Sequence, residues 1–191
     1  MKQQLESIPV SEESESYVKV LYFFFDYPEK KVTLSELSEF LGMHKQTASK
    51  MVLKLKEEGF LNIETIGRVW QISCNPNHEF TVHKKIPYHL QLIYESGIVK
   101  EVRNLVPNAK NIILFGSYRK GDDVSTSDID IAVEVLDDDK RIVELGVIKQ
   151  LGYRKNVVVT VHFFNRKDVL VTLFNNIANG IILDGFLEVS P

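Results

Sequence analysis

The sequence predicts an α+β chain in two parts: a small helical unit closed by a hairpin, then an α/β unit built on a mixed sheet. Three observations predict it. Helical apolar spacing recurs three times before residue 59, and two alternating runs, 60–65 and 69–73, follow about a turn at Ile66-Gly67-Arg68. Two short β-branched runs, 112–115 and 131–133, bracket a turn-rich segment with Gly116-Ser117 at one end and Asp128-Ile129-Asp130 at the other. A third β-branched run, 157–164, lies between segments of helical spacing, and strands alternating with helices form an α/β layer. The expected boundaries are 11–75 for the first unit, 76–97 for a linker with helix, and 98–191 for the second.

Composition sets the limits. A chain of 191 residues has room for one or two domains and a real core. The net charge of −3 argues against a uniformly basic surface but leaves room for a local basic face. One cysteine, Cys74, excludes an intrachain disulfide and fits a reducing compartment. No apolar stretch is long enough for a membrane span, and the first residues lack the apolar core of a secretory signal, so a cytoplasmic protein is expected.

In the first unit, Ser11 is a plausible N-cap and Glu12, Glu13 and Glu15 suit the start of a helix. Val18, Leu21, Tyr22 and Phe25 give its apolar face, the aromatic run 22–25 serves as core or as a dimer contact, and Pro28 stops it. Thr33 and Glu36 form a capping-box pattern for a second helix, with Leu34, Leu37, Phe40 and Leu41 inward. In the third, Ala48, Met51, Val52 and Leu55 face the core and Gly59 is the expected terminator. Leu61, Ile63, Trp70 and Ile72 are the inward set of the hairpin.

Three helices, a tight turn before the third, and a hairpin resemble the winged helix-turn-helix family. The resemblance implies DNA as a partner, with the third helix in the major groove and the hairpin on the backbone or minor groove. Lys45, Gln46, Thr47, Ser49 and Lys50 would then be the reading residues and Arg68 the wing tip. The alternative is a structural helix with a solvated polar face, or a winged helix that binds protein. Members of this family often dimerise, so a homodimer is expected.

The segment 75–87 contains Pro76, Asn77, His78 and Pro87, with a basic patch at His83, Lys84 and Lys85. His78, His83 and His89 are not at metal-ligand spacing with a cysteine. A helical pattern resumes at Tyr88, with Gly97 as an interruption, and Ile98, Val99, Val102, Leu105 and Val106 form a stripe ended by Pro107.

The central motif carries the chemistry. Residues two apart in a strand share a face, so Asp128 and Asp130 project together while Ile129 and Ile131 project the other way. Paired carboxylates repel unless a cation sits between them, and hard oxygen donors suit magnesium. Gly116 allows a sharp turn and close approach, Ser117 offers a hydroxyl to phosphate, Gly121 relieves the return of the chain, and Arg119 and Lys120 add positive charge. Gly116-Ser117, ten residues, then Asp128-Ile129-Asp130, with Ser127 just before the first aspartate, resembles the signature of minimal nucleotidyltransferases of the DNA polymerase β superfamily. The resemblance covers about half of the chain. It implies magnesium at Asp128 and Asp130, and a nucleoside triphosphate, with ATP the expected one, held by Gly116, Ser117, Lys120, Gly121 and Ser127. It also implies a hydroxyl acceptor, which in the family ranges from small antibiotics to RNA ends and partner-protein side chains.

After the motif, Asp137-Asp138-Asp139 is expected to start a helix through Ile142, Val143, Leu145, Val147 and Ile148. A strand over 157–164, a helix over 166–179 and a short edge element complete the chain. The family carries a third carboxylate on that strand, and this chain has none there: Thr160 and His162 share the face instead. His162 is therefore the candidate third catalytic group, as base or soft ligand; the competing reading makes it a rim residue of a site that has lost a ligand, since magnesium prefers oxygen. Two functions follow: a DNA-tethered nucleotidyltransferase, or a transcription regulator whose transferase-like domain binds nucleotide without turnover.

Overall fold

The computed structural model describes residues 13–135 and 141–188. The first unit starts with α1 (Glu15–Asp26), capped by Ser14, whose hydroxyl accepts from the Tyr17 amide. Ser11 lies outside the described residues. Phe23, Phe24 and Phe25 are buried in the core with Tyr17, Val20 and Leu21, so the aromatic run packs inward rather than standing free for a dimer. Consecutive buried positions arise because α1 is covered on several sides: Tyr22 stacks on Tyr88, and Phe25 meets Phe60.

A short strand β1 (Val32–Thr33) leads into α2 (Leu34–Phe40), and Thr33 and Glu36 close the expected capping box. Phe40 is 48% exposed, although its ring edges onto Phe23 and Tyr153. α3 (Lys45–Glu57) buries the four expected residues, Ala48, Met51, Val52 and Leu55. The hairpin β2 (Leu61–Ile66) and β3 (Val69–Cys74) turns at Gly67-Arg68, and β1 adds to β3, giving the order β1-β3-β2.

Residues 76–97 hold two helices, α4 (Phe80–His83) and α5 (Lys85–Glu95). The basic patch expected there does not form: Lys85 is buried against Asp123, Lys84 pairs with Glu13 at 2.5 Å, and His83 alone is exposed. Gly97, at φ +80, breaks α5 from α6 (Ile98–Leu105).

The second sheet runs β6-β7-β5-β4-β8, from β4 (Asn111–Phe115), β5 (Ile129–Glu134), β6 (Ile142–Leu151), β7 (Arg154–Phe164) and β8 (Ile181–Gly185). β5 and β7 are parallel and the other neighbours antiparallel, so the sheet is mixed. Isoleucines and valines of β4, β5 and β7 pack with α5 and α6 on one face; α8 (Val171–Ala178) covers the other.

The helix expected through Ile142 and Ile148 is instead the edge strand β6, paired to β7 through a two-residue turn at Gly152-Tyr153. Its apolar residues fit both periods, and a register shift between Glu144 and Gly146 hides the alternation. Residues 137–139 lie outside the described residues. α8 begins five residues later than the helix expected from position 166, while the terminal edge element is β8. Among the described residues no helix is long and apolar enough to cross a membrane.

Candidate functional site

The two halves of the central motif meet through strand register. β4 ends at Phe115, which pairs with Asp130 of β5, and the chain turns at once into α7 (Gly116–Lys120). Gly116 has φ +72, and a Cβ there would run into the Asp130 Oδ2. Glycine is therefore required twice, for the left-handed backbone and for the room beside the carboxylate. Ile129 and Ile131 are fully buried on one face of β5. Asp130 of β5 is half-buried, and Asp128 is exposed just before the strand begins.

Parallel pairing sets Asp130 beside Thr160 and Ala132 beside His162. His162 reaches back along the sheet, so its Nε2 lies 3.2 Å from Asp130 Oδ1, and its ring stands edge-on to Phe115 with centroids 5.0 Å apart. Of the two candidates for the third position, His162 touches the aspartate. Among the described residues, no group of three or more His, Cys, Asp and Glu side chains is arranged to hold a metal ion. Two oxygen-donor carboxylates beside a glycine cradle nevertheless fit one magnesium, an ion usually held by one or two carboxylates and completed by substrate phosphates. His162 engages one of the Asp130 oxygens.

Ser117 is half-buried at the start of α7 and Lys120 is exposed at its end. Gly121 is drawn elsewhere: it is buried, at φ +78, and a Cβ there would strike the Thr81 carbonyl. Its place in the fold is the seat of the motif loop on α4. Ser127 is a loop brace too, its hydroxyl accepting from the Val124 amide at 3.0 Å.

That loop rests on charged groups that sequence reasoning missed. Lys85 Nζ donates to the Asp123 carbonyl at 2.8 Å and lies 2.9 Å from its Oδ1. Arg154 donates from Nη1 to the Tyr118 hydroxyl and from Nη2 to the Ser127 carbonyl. His89 stands 3.6 Å from Asp123 Oδ2. Burial, with Lys85 beside it, pushes the His89 imidazole down to about 3, so it is neutral. Burial also raises the Asp123 carboxyl, against the pull of Lys85 and Arg154. All four are almost fully buried. Nothing in the sequence marks them, because the partners come from three separate segments: α5, the motif loop and the start of β7.

On the first unit, Lys45, Gln46 and Lys50 are exposed along α3, Thr47 and Ser49 are half-buried, and Arg68 is exposed at the hairpin tip. A groove of about 340 Å³ between α2, α3 and the hairpin is lined by Leu34, Ser35, Ser49, Arg68, Val69 and Trp70. It brings Ser49 and Arg68 to one surface; Lys45 lines a neighbouring hollow with Ser35, Ser38 and His44.

Comparison with known families agrees with both halves. Residues 10–67 match the family model for the iron dependent repressor, N-terminal DNA binding domain, and residues 95–179 match that for the nucleotidyltransferase domain. No curated protein matches the chain. The chain thus joins a winged-helix DNA-binding domain to a nucleotidyltransferase domain.

Proposed function

We propose that this fusion is a DNA-tethered, magnesium-dependent nucleotidyltransferase. It moves the nucleoside monophosphate of a nucleoside triphosphate, ATP first, to a hydroxyl on a protein or RNA acceptor in the cytoplasm. The observation that carries the reading is the pairing of Phe115 with Asp130, which sets the Gly116 turn against the aspartate face. In this reading the acceptor oxygen bonds the α-phosphorus, the bond from that phosphorus to its bridging oxygen breaks, and pyrophosphate leaves. Asp128 and Asp130 hold magnesium, which when bound supplies charge neutralisation at the phosphates. Gly116, Ser117 and Lys120 receive the triphosphate. His162, hydrogen-bonded to Asp130, is placed to accept the hydroxyl proton. Lys45, Gln46, Thr47, Ser49, Lys50 and Arg68 are assigned to DNA, and a homodimer would present two such surfaces to a palindromic site.

A second reading is favoured by one specific observation: an imidazole, not a carboxylate, stands at Asp130. A site so altered suits a transcription regulator that senses a nucleotide without turning it over. Incubation with α-labelled nucleoside triphosphates and magnesium separates the two. Label transfer and pyrophosphate release that Asp128→Asn/Asp130→Asn abolishes support the enzyme. Magnesium-dependent binding without transfer to any supplied acceptor supports the sensor. Absence of both binding and transfer refutes both.

A further inference from the structure

Taking the site as a nucleotidyl-transfer site, we propose that Arg154 is its positioning residue, a single side chain that ties the two halves of the motif together. Arg154 opens β7 and is 3% exposed. Its Nη1 donates to the hydroxyl of Tyr118, the residue after Ser117. Its Nη2 donates to the carbonyl of Ser127, the residue before Asp128. One planar, rigid guanidinium therefore fixes the distance between the turn that receives phosphate and the peptide that launches the first carboxylate.

The energetics argue for geometry rather than stability. Burying a guanidinium is costly, and a buried ion pair is commonly no better for stability than apolar residues of the same volume. Here the charge is answered loosely: Asp123 Oδ2 is 3.8 Å from Nη1, and among the described residues Arg154 Nε has no hydrogen-bond partner. What the cluster gains is direction. Lys85 adds a third point by holding the Asp123 carbonyl, so the segment from Gly121 to Asp128 is gripped from α5 and from β7. Arg154 is itself anchored, because the amide of its neighbour Tyr153 donates to Asp26 Oδ2 at 2.7 Å.

The test uses the full chain and ATP as the probe, with affinity measured in magnesium and again in EDTA. The variants are Arg154→Lys, Tyr118→Phe, Asp128→Asn and the Arg154→Lys/Asp128→Asn double. A positioning role predicts that Arg154→Lys lowers the magnesium-dependent gain in affinity by about tenfold or more, the size typical of losing an outer-shell partner. Its affinity in EDTA stays at the wild-type level. In the Asp128→Asn background the same change adds nothing to the lost gain. Tyr118→Phe, which deletes one oxygen, repeats the effect in smaller measure and decides the matter if Arg154→Lys fails to fold. A full magnesium gain in the folded variants, whatever their melting temperature, overturns the proposal and leaves Arg154 a structural residue. Wild type that gains nothing from magnesium fails the nucleotide reading itself, a result distinct from the first.

Discussion

Replacing Asp26 by asparagine should stabilise the protein above neutral pH. Asp26 ends α1 and is 2% exposed, and its Oδ2 accepts from the Tyr88 hydroxyl at 3.0 Å and the Tyr153 amide at 2.7 Å. Burial outweighs those bonds and the nearby Arg154, raising the carboxyl from 3.8 to about 6. The folded state thus keeps a proton that the unfolded state releases near 3.8. Between the two values the native state binds more proton, so this group's contribution is full at the acid end and falls as pH rises to about 6. The difference between those values corresponds to about 3 kcal/mol. An amide oxygen at the same place still accepts from Tyr88 and Tyr153, and it never ionises. Urea unfolding, followed by the fluorescence of the one tryptophan, Trp70, gives the stability of each form across pH 4 to 7.5. His89 opposes the trend in both proteins: its depressed value makes the native state gain stability as pH rises from about 3 to 6.5. The informative quantity is therefore the difference between the curves, which should open in favour of Asp26→Asn by about 3 kcal/mol and level off by pH 7. Parallel curves, or a gap opening in favour of wild type, would refute the reasoning.

His162→Ala removes the base assigned to the hydroxyl proton, and magnesium-dependent label transfer should fall by about a hundredfold or more; transfer at the wild-type rate would remove His162 from the reaction. Arg68→Ala and Lys45→Ala should each weaken binding to duplex DNA with little regard to sequence and reduce the salt slope by about one. Titrations over a range of salt would read this, and an unchanged slope would remove those residues from the interface.

Much of the fold was legible because it is written locally. The capping box at Thr33 and Glu36, the inward face of α3 and the turn at Gly67-Arg68 each need only a few adjacent residues to declare themselves. The central motif is similar: a glycine, a serine and two alternating aspartates specify a turn and a strand face before any partner is known. β6 was not legible, since an edge strand buries little, and its bulge between Glu144 and Gly146 spoils the period of two. Lys85, Asp123 and Arg154 were equally silent. Charge in a sequence signals solvent unless something shows that opposite charges converge, and these three converge only once α5 and β7 have packed around the motif loop. His162 was a candidate from strand phase, shared with Thr160, and from the family resemblance that places a third group on that strand; its reach to Asp130 depends on the parallel register of β5 and β7.

The seam at Asp26 also limits how such a protein can be assembled from parts. Its acceptor belongs to the DNA-binding half, while both donors, Tyr88 and the Tyr153 amide, belong to the residues that follow. Gly152 leaves room for the meeting, since a Cβ there would collide with the Tyr88 hydroxyl. A gene fusion that exchanged only the leading half would strand a tyrosine hydroxyl and a backbone amide at a dry surface. Recombination that preserves the seam must carry an acceptor at position 26, the glycine turn and the tyrosine as one heritable unit, although they lie far apart along the chain.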